Sequence, residues 1–185
     1  MLRSAVAGVP ADGWQRPTPC SEWNVTQVLQ HAALDQRVWG AMVAGTEMPG
    51  ENPFAPSGRL GTEPLAYADA ALDASGPAWA AIDGAAAGHS GAVSTPLPQG
   101  PMAPAAAAGA AALDAAIHAW DIAMATGQGS SLTPELARAL TPVAQSIVEP
   151  LRQYGAYAEA LEPSAGADDA AVLLSYLGRR PDWAA

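Results

Sequence analysis

Apolar and polar residues alternate along the chain with helical periods, separated by segments rich in proline and glycine. No segment shows the strict two-residue alternation of a half-buried strand, apart from a short run near residue 93. The pattern therefore predicts an all-α protein. The predicted helices cover Leu2 to Val9, Val25 to about Val43, about Glu63 to Asp83, roughly Ala105 to Ala125, about Thr133 to Gln153, and about Ala167 to Leu177.

The second predicted helix has the best-marked start. Asn24 can cap it and Gln27 stands three residues later, as in a capping box, while Trp23 and Val28 are spaced as a hydrophobic staple. His31 follows Val28 by three residues, at the edge of the apolar stripe. We therefore expect its imidazole to face the interior. The stripe comprises Val25, Val28, Leu29, Ala32 and Trp39.

Two long segments lack helical periodicity. The first, Gly45 to Thr62, is predicted to be a crossover loop, and a loop of this length often borders a site. The second, Gly88 to Pro101, carries His89 and is predicted to be a loop with a brief strand near Ala92 to Thr95.

Prolines within helical patterns predict interruptions. The third helix should kink or break at Gly76-Pro77, and the fifth should be interrupted near Pro142 and Pro150. The third helix is expected to bury a stripe of larger side chains, namely Leu65, Leu72, Trp79 and Ile82.

The fourth predicted helix, entered through Pro104 and closed by Gly127, is apolar nearly all round. Its polar side chains are Asp114, His118 and Asp121, which share one face. A helix of this kind is buried, and a buried carboxylate is costly unless it is paired, hydrogen-bonded or bound to a cation.

An acid and a histidine one turn apart can bind one metal ion, as two histidines do in helical zinc sites. His31 is then the strongest candidate for a third ligand, because His89 lies in a proline-rich loop. Three protein ligands leave a position open for water or a thiolate. On spacing alone, a hydrogen-bonded pair of Asp114 and His118 in the core is the commoner arrangement, and the metal site stays open as the alternative.

Neighbouring residues could support such a site. Asp121, beyond His118, could accept the second ring proton of that histidine, or could form a hydrogen bond at the helix end. Asp35 could do the same for His31, although a solvated acid on an amphipathic helix is the favoured interpretation. Trp23 and Trp120 flank the ligand segments, and we expect them to build the core.

Length and composition predict a single domain over residues 1–185, with 50% hydrophobic and 14% charged residues. The net charge is −10 and the eight basic residues, all arginine, are scattered, so we expect no nucleic-acid partner. No apolar run predicts a membrane span and no signal peptide is evident. The single cysteine, Cys20, fits a reducing compartment, and we expect a cytoplasmic protein in which Cys20 serves packing.

Three stretches resemble the mycothiol-dependent maleylpyruvate isomerase-like family, which has a DinB-like fold. Pro17 to Val25, PTPCSEWNV, followed by His31, is similar to its first motif. Asp114 to Gln128, with an acid, His and Trp-Asp at the family spacing before ATGQ, resembles its second motif, and Leu174 to Pro181 resembles its closing segment.

The resemblance implies a DinB-type four-helix bundle with a long crossover loop and additional C-terminal helices. It also implies a divalent metal, usually zinc, held by the matching His31, Asp114 and His118; these ligand types also admit nickel or iron. The family often has Glu where Asp114 stands. Its isomerase carries a further C-terminal domain that contributes to the active site, and because this sequence ends at Ala185 we do not expect maleylpyruvate isomerisation itself.

The function implied is that of a metal-dependent transferase or isomerase. The metal would hold mycothiol as a thiolate for S-transfer to, or isomerisation of, a small electrophilic substrate. No catalytic residue beyond the metal ligands is assigned, and a monomer or a homodimer is expected. Two alternatives remain: a noncatalytic, stress-associated domain that binds a metal or small molecule, and a tailoring enzyme of secondary metabolism that reuses the bundle pocket.

Overall fold

Six helices and the segments between them make up the computed structural model, which describes residues 1–85 and 91–184. His89 lies outside the described residues. Within them no β-strand occurs, so the predicted all-α class is confirmed and is consistent with a DinB-type bundle. The helices are α1 (Leu2–Ala7), α2 (Val25–Ala44), α3 (Pro64–Ala85), α4 (Pro104–Ala125), α5 (Pro134–Arg152) and α6 (Asp169–Tyr176).

Helix α4 is central to the packing because it contacts α1 and α2 on one side and α5 on the other. Helix α3 packs on α1 and α2, and α6 packs on α5. The core accordingly has two clusters that meet at α4, with Trp120 in one and Ile122 in the other. None of the described helices combines the length and the apolarity needed to cross a membrane.

The predicted start of α2 is confirmed in detail. The Asn24 side chain accepts a hydrogen bond from the Gln27 backbone N–H at 3.0 Å, and the Gln27 side chain accepts from the Asn24 N–H at 3.1 Å. These two bonds satisfy two of the backbone donors that a helix start leaves free. The capping box thereby fixes where the helix begins, two turns before His31. His31 is buried, as predicted.

The predicted breaks do not occur, since α3 and α5 continue through Pro77, Pro142 and Pro150; a kink of α3 at Pro77 stays a prediction. A proline removes the N–H that would bond to the carbonyl four residues earlier. For Pro77 and Pro142 those carbonyls belong to Asp73 and Arg138, which are exposed, so water can replace the missing donor.

The predicted apolar face of α3 is only partly right: Trp79 packs against the core, but Leu65 is exposed. Among the α3 residues whose burial the structure describes, the buried ones are small, namely Ala68, Ala71 and Ser75. A Cβ added to Gly40 of α2 would lie only 2.7 Å from the Cα of Ser75. The two backbones therefore approach closely, and small side chains, not a leucine stripe, form the contact.

The long segments between helices border one cavity. Residues 45–62 form an irregular crossover loop, as predicted. The brief strand predicted near residue 93 is a single antiparallel bridge, in which Val93 and Met102 exchange backbone hydrogen bonds of 2.8 and 3.0 Å.

Candidate metal centre

The three residues proposed as metal ligands lie together at the α2–α4 interface. Oδ1 of Asp114 is 3.6 Å from Nε2 of His31 and 3.4 Å from Nε2 of His118. One ligand atom from each residue lies within 4.8 Å of the others. The ligand atoms converge because Asp114 and His118 are one turn apart on α4 and His31 lies on the inward face of α2.

The His31 imidazole is oriented by the crossover loop. Its Nδ1 lies 2.9 Å from the carbonyl oxygen of Pro53, an acceptor, so Nδ1 carries the proton and donates. Nε2 then presents its lone pair toward Asp114. The ring also packs against Trp23 and Phe54, with ring centroids 4.7 and 5.5 Å away.

The His118 imidazole is oriented by a buried carboxylate. Its Nδ1 lies 3.0 Å from Oδ2 of Asp121. Asp121 is therefore within hydrogen-bond distance of the ring nitrogen whose proton it was expected to accept. Asp121 is fully buried and is itself held by Arg179, which donates from Nε and Nη2 to its two oxygens at 2.8 Å each. The chain Arg179–Asp121–His118 therefore directs Nε2 of His118 toward Asp114.

In both histidines, then, Nδ1 faces an acceptor and Nε2 faces the same carboxylate oxygen. Two imidazole lone pairs and a carboxylate oxygen would repel one another unless a cation lies among them. That cation is either a proton on an imidazole or a metal ion. Histidine nitrogen and carboxylate oxygen are ligands that zinc accepts.

In the absence of a metal ion, the charges around these residues favour a proton on an imidazole. Burial raises the pKa of the Asp114 carboxyl, but the charge and hydrogen bond of His118 and those of His31 outweigh it and hold that pKa below its ordinary value. Burial lowers the pKa of His118, but Asp114 and Asp121 outweigh it and raise that pKa to about 10. Without a metal, the buried His118 and the partly buried Asp114 form an ion pair.

Asp35 lies on the cavity side of α2 and is partly exposed. Burial, then the neighbouring charge of Asp114, raises the pKa of Asp35 well above its ordinary value. Asp35 also does not orient His31, because Pro53 accepts from that ring. Among the described residues nothing donates to Oδ2 of Asp114, so a metal or a proton held on Asp35 is what could complete its bonding.

The PTPC turn brings Cys20 to the same place. Thr18 holds the turn by accepting from the Cys20 N–H at 3.1 Å and donating to the Trp23 carbonyl at 2.8 Å. The thiol lies within 4.8 Å of ligand atoms of His118 and Asp121. Because both oxygens of Asp121 already accept from Arg179, this second group is a poor cation site, and burial raises the pKa of the Cys20 thiol.

A cavity of about 930 Å³ opens onto His31, Asp114 and His118, the trio of proposed ligands. Its walls come from α2, α4, the crossover loop and the segments around α5 and α6. Trp23 and Trp39 line it, whereas Trp120 is buried in the core as predicted. This volume is in the range of small-molecule sites.

Sequence reasoning missed Arg179, Pro53 and the cavity position of Cys20. Arg179 stands 58 residues from Asp121, and no local spacing signals that pairing. Pro53 acts through a backbone carbonyl, which carries no residue-type signal. The one available signal for Arg179 was its place within the recognised closing motif.

Comparison with known proteins decides the family. The family model described as "Mycothiol maleylpyruvate isomerase N-terminal domain" matches residues 1–123, well over half of the chain. The chain belongs to this family. The matched region contains His31, Asp114, His118 and Asp121, whereas Arg179 lies beyond it.

Two curated relatives of this family member are uncharacterized proteins of Mycobacterium tuberculosis, from strains CDC 1551 and H37Rv. Each is 34% identical over 145 residues, which cover 78% of this chain and 72% of the relative. No solved structure matches the chain significantly.

Proposed function

We propose that this protein is a divalent-metal enzyme that uses a low-molecular-weight thiol, mycothiol, to modify a small electrophilic substrate. The observation that carries the proposal is the orientation of the two imidazoles, whose Nδ1 atoms both face acceptors while their Nε2 atoms face Asp114. Membership of a family named for a mycothiol-dependent isomerase supports the choice of thiol.

His31, Asp114 and His118 would hold the cation, with zinc as the first candidate. A bound divalent cation would supply a Lewis acid with an open coordination position, where a thiol loses its proton and becomes nucleophilic.

The other residues around the trio have supporting tasks. Pro53 fixes the tautomer of His31, and Asp121, held by Arg179, fixes that of His118. The cavity would surround part of the substrate beside the cation. Asp35 can hold a proton beside Asp114.

The reaction class is addition of the thiol sulfur to an electrophilic carbon. In S-transfer the new carbon–sulfur bond remains and the thiol proton ends on the product. In isomerisation that bond breaks again, so the thiol and its proton are regenerated. S-transfer consumes the thiol, whereas isomerisation leaves the amount of thiol unchanged, so measuring the product and the remaining thiol distinguishes the two reactions.

Metal content tests the site directly. Protein purified without added metal should contain close to one zinc, nickel or iron per chain by elemental analysis. His118→Ala should lose the metal, and His89→Ala, which changes the one histidine of the sequence outside the proposed ligand set, should keep it. A protein without metal, or equal metal content in both variants, would overturn the site.

Turnover tests the thiol. Zinc-loaded protein should accelerate the reaction of mycothiol with the enone benzalacetone over the uncatalysed rate, and His118→Ala should abolish that acceleration. A metal-loaded protein that gives no thiol-dependent acceleration with any reactive electrophile would leave a metal-binding domain and refute the catalytic proposal.

A further inference from the structure

Two of the most exposed large apolar side chains described border the same cavity. Phe54 is 64% exposed and Tyr154 is 74% exposed, and both line the cavity that opens onto the trio. Phe54 comes from the crossover loop and Tyr154 from the segment after α5. Exposed aromatic surface that borders a cavity is typical of a binding surface.

The exposure of Phe54 is not the result of a loose loop. Its backbone N–H donates to the Asn52 side chain at 2.9 Å, and the Ala55 N–H donates to the Asn52 carbonyl at 3.1 Å. The preceding residue, Pro53, is bonded to His31. A hydrogen-bonded turn therefore holds Phe54 over the cavity, with its ring 5.5 Å from that of His31.

Tyr154 is presented by a second hydrogen-bonded turn. Its N–H and that of Ala156 both donate to the Leu151 carbonyl, at 3.1 and 3.2 Å. Gly155 between them has a φ of +76°, a conformation that glycine adopts without strain. The Arg152 side chain donates to the carbonyls of Ala158 and Tyr176, which ties the segment to α6.

The charges around the cavity disfavour an anionic ligand. Its lining includes Glu22, Asp114, which is paired with His118, and Asp35, which can hold a proton. It includes one guanidinium, that of Arg179, whose Nε and Nη2 both already donate to Asp121. Among the side chains that line the cavity, His118 and Arg179 are therefore already paired with acids and offer a ligand carboxylate no free partner.

We propose that Phe54 and Tyr154 form an aromatic mouth that selects an uncharged electrophile with an aromatic or otherwise apolar body. The inference rests on the proposed function, because it assigns the substrate class of the same site. The mouth itself would then give no affinity for a dicarboxylate such as maleylpyruvate. The apolar walls supplied by Val38, Leu97 and Ile147 would accept the body of the ligand beyond the mouth.

Binding to the full chain after removal of metal by EDTA tests this without turnover. Methyl cinnamate and cinnamate are a matched pair that differs in charge, and removal of the metal prevents the carboxylate from gaining affinity by coordination. Equilibrium dialysis should give a dissociation constant for methyl cinnamate at least about tenfold lower than for cinnamate or maleate. Equal or tighter binding of the anions would overturn the proposed selectivity.

Substitution tests the two aromatic side chains. Phe54→Leu and Tyr154→Leu should each weaken methyl cinnamate binding by about 2- to 12-fold, the range for one aromatic contact. Val172→Ala, which shortens another exposed apolar side chain, should leave it unchanged. All three positions are exposed, so the unfolding midpoints should match that of the wild type; full affinity in both leucine variants would refute the mouth.

The two proposals fail separately. Zinc content and thiol-dependent turnover report on the metal centre and do not depend on the mouth. A protein that binds zinc but prefers the anionic probes would retain the proposed function and lose the inference about substrate class. A protein that prefers methyl cinnamate but binds no metal would lose the proposed function, and the mouth would then belong to a binding protein.

Discussion

Arg179 and Asp121 form a bidentate ion pair across 58 residues of sequence, with both nitrogen–oxygen distances at 2.8 Å. Asp121 is fully buried, and burial raises the pKa of its carboxyl, but Arg179 and then His118 outweigh burial and lower that pKa. The pair joins the chain end to α4 and fixes the carboxylate that orients His118.

Arg179→Met should destabilise the protein strongly. It leaves the Asp121 carboxylate buried without its main partner, which costs about 3–5 kcal/mol in unfolding free energy. Urea denaturation measures it. Arg138→Met, which breaks the exposed Arg138–Asp169 pair, should cost no more than about 1 kcal/mol. Similar losses for both variants would show that the Arg179 pair is not the structural link inferred here.

The metal-free protein should lose stability in alkaline solution. The folded pKa of His118 is raised from 6.5 to about 10, so the stabilisation is complete below pH 6.5 and is lost as the pH rises toward about 10. Unfolding free energies after EDTA treatment should therefore fall over that interval. His118→Gln should flatten this alkaline slope.

Zinc provides the complementary measurement. Metal binding needs neutral imidazoles, so a saturating cation replaces the proton and should flatten the alkaline slope of the wild type. If the slope persisted unchanged in His118→Gln, another group would be responsible for it.

Asp35→Asn should stabilise the metal-free protein at neutral pH. Burial and the charge of Asp114 raise the folded pKa of Asp35, so its ionisation works against folding above its ordinary pKa of 3.8. Asparagine removes that ionisation and keeps a hydrogen-bond donor for Asp114. Asp73→Asn, at a position whose side chain is 79% exposed, serves as the control and should change little. A less stable Asp35→Asn protein would contradict this account.

Gly40→Ala should destabilise the α2–α3 contact, since its Cβ would lie 2.7 Å from the Ser75 Cα and 2.9 Å from the Ser75 Cβ. Overpacking of this kind costs about 1–3 kcal/mol. Gly109→Ala in α4 is the matched control, because its Cβ would meet Val143 at an ordinary 3.5 Å. The control should gain about 0.5–1 kcal/mol from its higher helix propensity. Thermal unfolding of both variants distinguishes the two effects.

Local sequence signals predicted the helices well and their packing less well. The capping box of Asn24 and Gln27 and the apolar periods located α2 and α4 to within a residue or two. The proline breaks in α3 and α5 were wrong because exposed carbonyls can be satisfied by water. The predicted stripe of larger side chains does not form the α3 contact with α2, because α2 offers Gly40 there and a close approach selects small partners.

The sequence alone indicated which ionisable residues are carried inward, because the almost wholly apolar α4 buries His118 and Asp121 and leaves Asp114 only partly exposed. It could not determine their partners. Arg179 pairs with Asp121, Pro53 accepts from His31, and Cys20 lies near His118, through turns and helix contacts that depend on the whole fold. Helical periodicity is a property of neighbouring residues, whereas a hydrogen bond across 58 residues depends on how the helices pack, and only the tertiary structure decides that.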